Sequence, residues 1–175
     1  MIKELIEEEN RKTSKKSRII ASHQQVVRYD RESKDEIVEK TAHIIFEEFK
    51  LVVSEYDIVL LSDYGKGVLT DKLTQSIIEY ANQKGRKVLV DPKGDDYSKY
   101  SGAYLLTPNK KEAIQASKID IKDDTTLIQA LKKLKEIADL DISLITLSED
   151  GIAIFDDKLT MRPTVAREVY DVTGA

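Results

Sequence analysis

The sequence predicts an α/β fold with a mostly parallel sheet. Apolar strand-like runs alternate with amphipathic helical segments along the chain. The polar, Gly- and Pro-bearing segments fall at the ends of the apolar runs, as SDYGKG, DPKGDD, TPNKKE and SEDG. The bulk composition agrees: 175 residues, 41% hydrophobic and 34% charged, suit one domain of ordinary size with a core.

Residues 1–16 are a polar, charge-rich lead, and the domain is expected over 17–175. Arg18–Asp30 reads as two short β segments around Ser22–Gln24. Ser33–Glu55 is a helix candidate, with Ile37, Ile44, Ile45, Phe49 and Val52 near helical spacing and a capping box expected from Ser33 and Glu36. Asp57–Ser62 is a continuous apolar run, expected to be a strand buried on both faces. Thr70–Lys84 is a second helix, stopped by Gly85. Lys87–Val90 and Ala103–Leu106 are strands. A short helix is expected to start near Asn109, and a longer one fits Asp124–Leu140, with Leu127, Leu131, Leu134 and Ile137 on one face. Ile142–Leu147 is a buried strand, and Gly151–Phe155 with Lys158–Arg162 suggests a hairpin across Asp156 and Asp157.

Several function classes fall away on composition. No cysteine is present, so disulfide scaffolds, thiol nucleophiles and thiolate metal sites are excluded. Two histidines argue against a histidine-rich metal site. The net charge of −4 gives no electrostatic case for nucleic acid. No apolar run reaches the ~20 residues of a membrane span. The charged N-terminus is unlike a secretory signal, so a cytoplasmic location is expected.

In open parallel sheets, ligands sit beyond the carboxyl ends of the strands. The polar segments named above would converge there, on a polar, anionic ligand. Neither a Walker A loop nor GxGxxG is present, so phosphate binding must rest on lysines and helix starts. Lys66 lies between two glycines, and Lys93 follows Asp91-Pro92. Each can neutralise a phosphate as a point charge, or be a solvated loop lysine. Asn109 and Glu112 have the spacing of a capping box. Glu112 could equally assist a magnesium ion through water, because magnesium favours oxygen ligands and keeps waters. Thr146–Gly151 reads as a strand end and a turn. Asp171-Val172-Thr173-Gly174-Ala175 reads as the start of a Gly-rich, anion-facing loop.

These segments together resemble the ribokinase-like (PfkB) carbohydrate kinases. DVTGA resembles the start of that family's DTxGAGD signature. Asn109-x-x-Glu112 resembles its NxxE motif, and Thr146–Gly151 its nucleotide-site turn. The strings KSRIIASHQQVVRYD, LSDYGKGVL, VLVDPKGDDYSKYSGAYLLTPNKKEA and REVYDVTGA are most similar to the heptose-phosphate kinase branch, whose kinase domain belongs to a bifunctional kinase/adenylyltransferase. The resemblance implies a three-layer α/β fold, here incomplete at both ends. It implies ATP-dependent phosphorylation of D-glycero-D-manno-heptose 7-phosphate at its anomeric hydroxyl, within ADP-heptose and lipopolysaccharide core biosynthesis.

By the same resemblance, ATP with Mg2+ would lie against Asn109, Lys110, Lys111, Glu112, Thr146, Ser148 and Gly151, with Glu112 on the metal through water. Asp63, Lys66, Lys93, Gln24, Gln25 and Arg28 would face the phosphorylated sugar. Asp171 and Thr173 would lie near a K+ site, whose use stays open. Gly174 and Ala175 would begin the anion hole, and the general-base aspartate is expected just after Ala175, so the chain alone is expected to be inactive. A homodimer of a longer parent also stays open, as do another sugar kinase of the family and a catalytically dead ligand-binding module.

Overall fold

The computed structural model describes residues 5–22 and 24–164, which form a β hairpin and a six-stranded sheet with four helices. In the hairpin, β1 (Lys15–Ala21) pairs antiparallel with β2 (Gln24–Arg31), with a register shift between Ile19 and Ile20. Every described residue of the two strands is exposed. The main sheet has the order β3-β4-β5-β6-β7-β8. Strands β3 (Ile58–Ser62), β4 (Lys87–Asp91), β5 (Leu105–Leu106) and β6 (Ile142–Thr146) are parallel neighbours. Strands β7 (Ile152–Phe155) and β8 (Leu159–Arg162) close the edge as the expected antiparallel hairpin.

Sequence chemistry sets the helix ends. In α2 (Asp71–Gln83) the Thr70 hydroxyl accepts the Leu73 N–H, and Gly85 follows at φ +67°. Helix α3 (Lys110–Ser117) starts with the expected capping box: the Glu112 N–H donates to Asn109 Oδ1 at 3.0 Å, and the Asn109 N–H to Glu112 Oε2 at 3.1 Å. Helix α4 (Asp124–Ile137) is capped by Asp123 and buries Leu127, Leu131 and Leu134, as their spacing predicts.

Helix α1 departs from expectation. It runs Glu39–Val52 rather than from Ser33, and its N-cap residue Val38 makes no side-chain cap. The Ser33 hydroxyl instead accepts the Lys12 N–H at 3.0 Å, so the capping box with Glu36 does not form. Residues of the polar lead hold this entry segment: Glu8 accepts the Val38 N–H, and Arg11 donates to the Asp35 and Lys66 carbonyls.

The strands are buried on one face, not both. Leu61, Val88, Val90, Leu106, Ile145, Ala153 and Phe155 join Leu73, Ile77, Ile78, Leu131 and Leu134 in one core. Register puts the alternate residues on the opposite face, and there Ile58 and Leu60 are 54% and 69% exposed. Leu89, Leu105 and Leu144 are half-buried and lie outside that core. The run IVLL therefore has the composition of a doubly covered strand, while the described helices cover one side. The second helical layer of a three-layer fold is not among the described residues.

Candidate functional site at the strand ends

Parallel pairing of β3 to β6 brings their carboxyl ends to one edge. The Asp63 N–H donates to Asp91 O, Thr107 N–H to Val90 O, and Thr146 N–H to Pro108 O, each at 2.9–3.0 Å. An isolated bridge pairs Asn109 with Thr146. Asn109 and Thr146, thirty-seven residues apart in sequence and both expected on the nucleotide side, are thus adjacent.

Asp63 is the best-anchored group at this edge. It is 6% exposed, and both carboxylate oxygens are occupied. Oδ1 accepts the Gly65 N–H at 2.7 Å. Oδ2 accepts the Lys99 ammonium at 2.6 Å and the Tyr100 hydroxyl at 2.7 Å. Burial works to raise its pKa, but these hydrogen bonds outweigh it and hold Asp63 below the ordinary carboxylate value. A carboxylate so occupied shapes the 63–67 loop rather than offering free lone pairs to a sugar. Lys99 and Tyr100 were not singled out from the sequence. The signal was present in DYSKY, where two tyrosines and a lysine follow a turn.

The loop itself is fixed by Gly67. At φ +76° it lies so close to the 35–36 backbone that an added Cβ would meet Asp35 O at 2.1 Å, so only glycine fits. Lys66 pairs with Glu32 at the foot of β2. A cleft of about 510 Å3 lies between the hairpin foot and this loop, lined among others by Lys16, Glu32, Ser62, Tyr64 and Lys66. The Lys16 ammonium sits 5.6 Å from the Tyr64 ring centroid. Lys16 and Tyr64 are further residues that sequence reading missed. Gln24 and Gln25 lie at the hairpin tip, and Arg28 is engaged by Asp30 through two hydrogen bonds at 3.0 and 2.8 Å. None of these three lines the cleft.

On the nucleotide side, Lys93 and Glu112 meet. The Lys93 ammonium is 2.9 Å from Glu112 Oε1, while Oε2 closes the capping box. The residues expected to hold phosphate and magnesium therefore neutralise one another here. Hydrogen bonding to Glu112 raises the Lys93 pKa; burial, then the nearby Glu112 charge, raises that of Asp91. No cluster of three or more His, Asp or Glu that could hold a metal exists among the described residues. Magnesium binds through one or two carboxylates plus water and phosphate oxygens, so it does not require such a cluster. Glu112, whose two oxygens are held by the Lys93 ammonium and the Asn109 N–H, would have to exchange one of those partners for a metal-bound water.

Lys110 and Lys111 are exposed in the first turn of α3. Ser148 adopts φ +54° in the turn after β6, and its carbonyl accepts the Thr164 hydroxyl. Gly151, at φ +89°, packs where an added Cβ would meet Arg162 O at 2.0 Å, which explains this glycine structurally. Asp171, Thr173, Gly174 and Ala175 lie outside the described residues.

A mostly parallel sheet with lysines, carboxylates and helix starts gathered at one edge defines an α/β protein whose candidate site lies at the strand ends. Residues 2–175 match the pfkB family carbohydrate kinase pattern, and the chain belongs to that family. It is 66% identical over 171 residues to the bifunctional protein HldE of Aliarcobacter butzleri, covering 98% of this chain and 36% of the relative. It is 62% identical to the HldE of Sulfurimonas denitrificans over the same shares. The chain thus spans about a third of the length of these curated relatives.

Among solved structures, Arabidopsis thaliana ribokinase complexed with ribose and ATP gives a TM-score of 0.60 at 18% identity, over 85% of this chain and 48% of that one. Escherichia coli phosphofructokinase-2 in complex with fructose-6-phosphate gives 0.61 at 19%, over 89% and 51%. The fold is ribokinase-like.

Proposed function

We propose that this chain forms part of a kinase transferring the γ-phosphoryl group of ATP to the anomeric hydroxyl of D-glycero-D-manno-heptose 7-phosphate. The observation that carries this reading is the gathering of Asp63, Lys66, Lys93, Asn109, Glu112 and Thr146 at one sheet edge. The high identity to HldE proteins supports the choice of a heptose phosphate over other sugars.

In this reading the cleft beside the 63–67 loop takes the sugar phosphate. Lys66 and Lys16 offer it cations, and Tyr64 offers a ring face to the sugar. Glu112, with Asn109 fixing its backbone, faces the nucleotide side, where Mg2+ supplies charge neutralisation for the phosphates. In the same reading Asp171 and Thr173 would lie near a monovalent-cation site whose use stays open, and Gly174 and Ala175 would begin the anion hole. The work falls in the cytoplasm, on ATP and a phosphorylated heptose.

Phosphorus NMR of the natural protein that carries this chain, with ATP and a sugar panel, tests the proposal. Heptose 7-phosphate should gain a second phosphate on its anomeric carbon. Preference for an unphosphorylated hexose would replace the heptose reading with another sugar kinase of the family. Nucleotide binding without turnover of any sugar would favour a binding module.

A further inference from the structure

Two halves of the site, one around residues 63–67 and one around 109–112, are joined by a continuous chain of contacts through Lys93 and Tyr100. The Tyr100 ring is fully buried and stacks edge-on against Tyr97, with centroids 5.9 Å apart. Its hydroxyl donates to Asp63 Oδ2 at 2.7 Å and accepts the Lys93 N–H at 3.1 Å. Asp63 in turn accepts the Gly65 N–H. The Lys93 stem lies under Gly65: a Cβ there would meet Lys93 Cγ at 3.1 Å. The Lys93 ammonium then reaches Glu112 Oε1 at 2.9 Å, and Glu112 is locked to Asn109 by the reciprocal cap.

Each link is a directed bond or a close packing contact. Displacing one end therefore strains the next, most firmly at the buried Tyr100–Asp63 link and least at the half-exposed Lys93–Glu112 pair.

We propose that Tyr100 and Lys93 form a strut that sets the 63–67 loop and the start of α3 in one register, making both of them positioning residues for phosphoryl transfer. The inference rests on the assignment of the two halves to sugar and nucleotide. Transfer needs both reactants aligned, and small misplacements lower the rate without weakening either binding step.

Amide hydrogen exchange on this chain tests the strut independently of catalysis. Tyr100→Phe keeps the ring and removes the hydroxyl; Lys93→Met keeps the stem and removes the charge. Loss of such a bond should raise exchange about tenfold. In Tyr100→Phe the rise should appear at Gly65 and also at Asn109 and Glu112, which Tyr100 does not touch. In Lys93→Met it should appear at Asn109 and Glu112 and also at Gly65. If each variant loosens only its own neighbours, the strut is overturned.

The α4 amides of Leu131 and Leu134 report global unfolding. Should Tyr100→Phe deprotect them, the half-exposed Lys93→Met variant decides alone. In the natural protein, Tyr100→Phe should lower kcat about tenfold and leave KM for each reactant within about twofold. Unchanged kcat would contradict a positioning role. Absence of turnover in the unsubstituted protein would refute the kinase reading, while the exchange result would still decide the strut.

Discussion

The two faces of the central sheet differ sharply. One packs Val88, Val90, Leu106 and Ile145 against α2 and α4 at essentially no exposure. The other presents Ile58 and Leu60 to solvent, with Leu89, Leu105 and Leu144 only half covered. Both are apolar, so composition alone cannot say which is covered. What separates them is the helix faces: α2 offers Leu73, Ile77 and Ile78, and α4 offers Leu127, Leu131 and Leu134. The amphipathic helices therefore fix which side becomes core. An apolar sheet face of this kind is a surface for association.

The largest effect that would sharpen this contrast comes from the buried face. Leu131→Ala should destabilise by about 2–5 kcal/mol, because it opens a cavity in packed core. Chemical denaturation measures it, and a loss below about 1 kcal/mol would mean that α4 is not packed as described. Leu60→Ser, on the open face, should cost little stability but reduce self-association of the isolated chain. Light scattering before and after would show it; a chain already monomeric at high concentration would break the comparison.

Asp63→Ala comes next, at about 3 kcal/mol, since it strands the Lys99 ammonium and the Tyr100 hydroxyl without their shared acceptor. The same residue gives a pH signature. Its pKa is lowered in the folded state relative to the ordinary 3.8. Its contribution is therefore complete above that value and is lost as pH falls through the depressed folded pKa. Asp63→Asn should flatten the loss of stability below about pH 4, and an unaltered acid limb would deny Asp63 that role. The smallest effect should come from Lys72→Ala. Its ion pair with Glu39 is solvent-exposed on both sides, so the denaturation midpoint should not move measurably, and a clear drop would contradict a solvated pair.

Much of this was legible in the residues themselves. Strand and helix order followed from periodicity, and the Asn109–Glu112 cap and the Asp156–Asp157 hairpin follow from short-range chemistry that spacing reveals. The start of α1 was not legible, because Ser33 is drawn off by the Lys12 backbone across twenty-one residues. Single-face burial of IVLL was hidden for the same reason: coverage is tertiary. At the site, spacing picked out Lys66, Lys93 and Glu112, and the family resemblance added Asp63. It could not show that Asp63 is bound by Lys99 and Tyr100, or that Lys93 turns to Glu112. Those pairings span nineteen to thirty-seven residues and exist only once the strand ends are aligned.

In the proposed function, the cleft beside the 63–67 loop recognises a phosphorylated sugar through cations. Calorimetric titration of heptose 7-phosphate and of unphosphorylated heptose into the natural protein, its Lys66→Met variant and its Lys16→Met variant tests it directly. The unsubstituted protein should prefer the phosphate by about 10–100-fold, and each variant should lose most of that preference, as expected for one charge-assisted contact. Equal affinity for the two sugars, or a preference that survives both substitutions, would contradict phosphate recognition by this cleft.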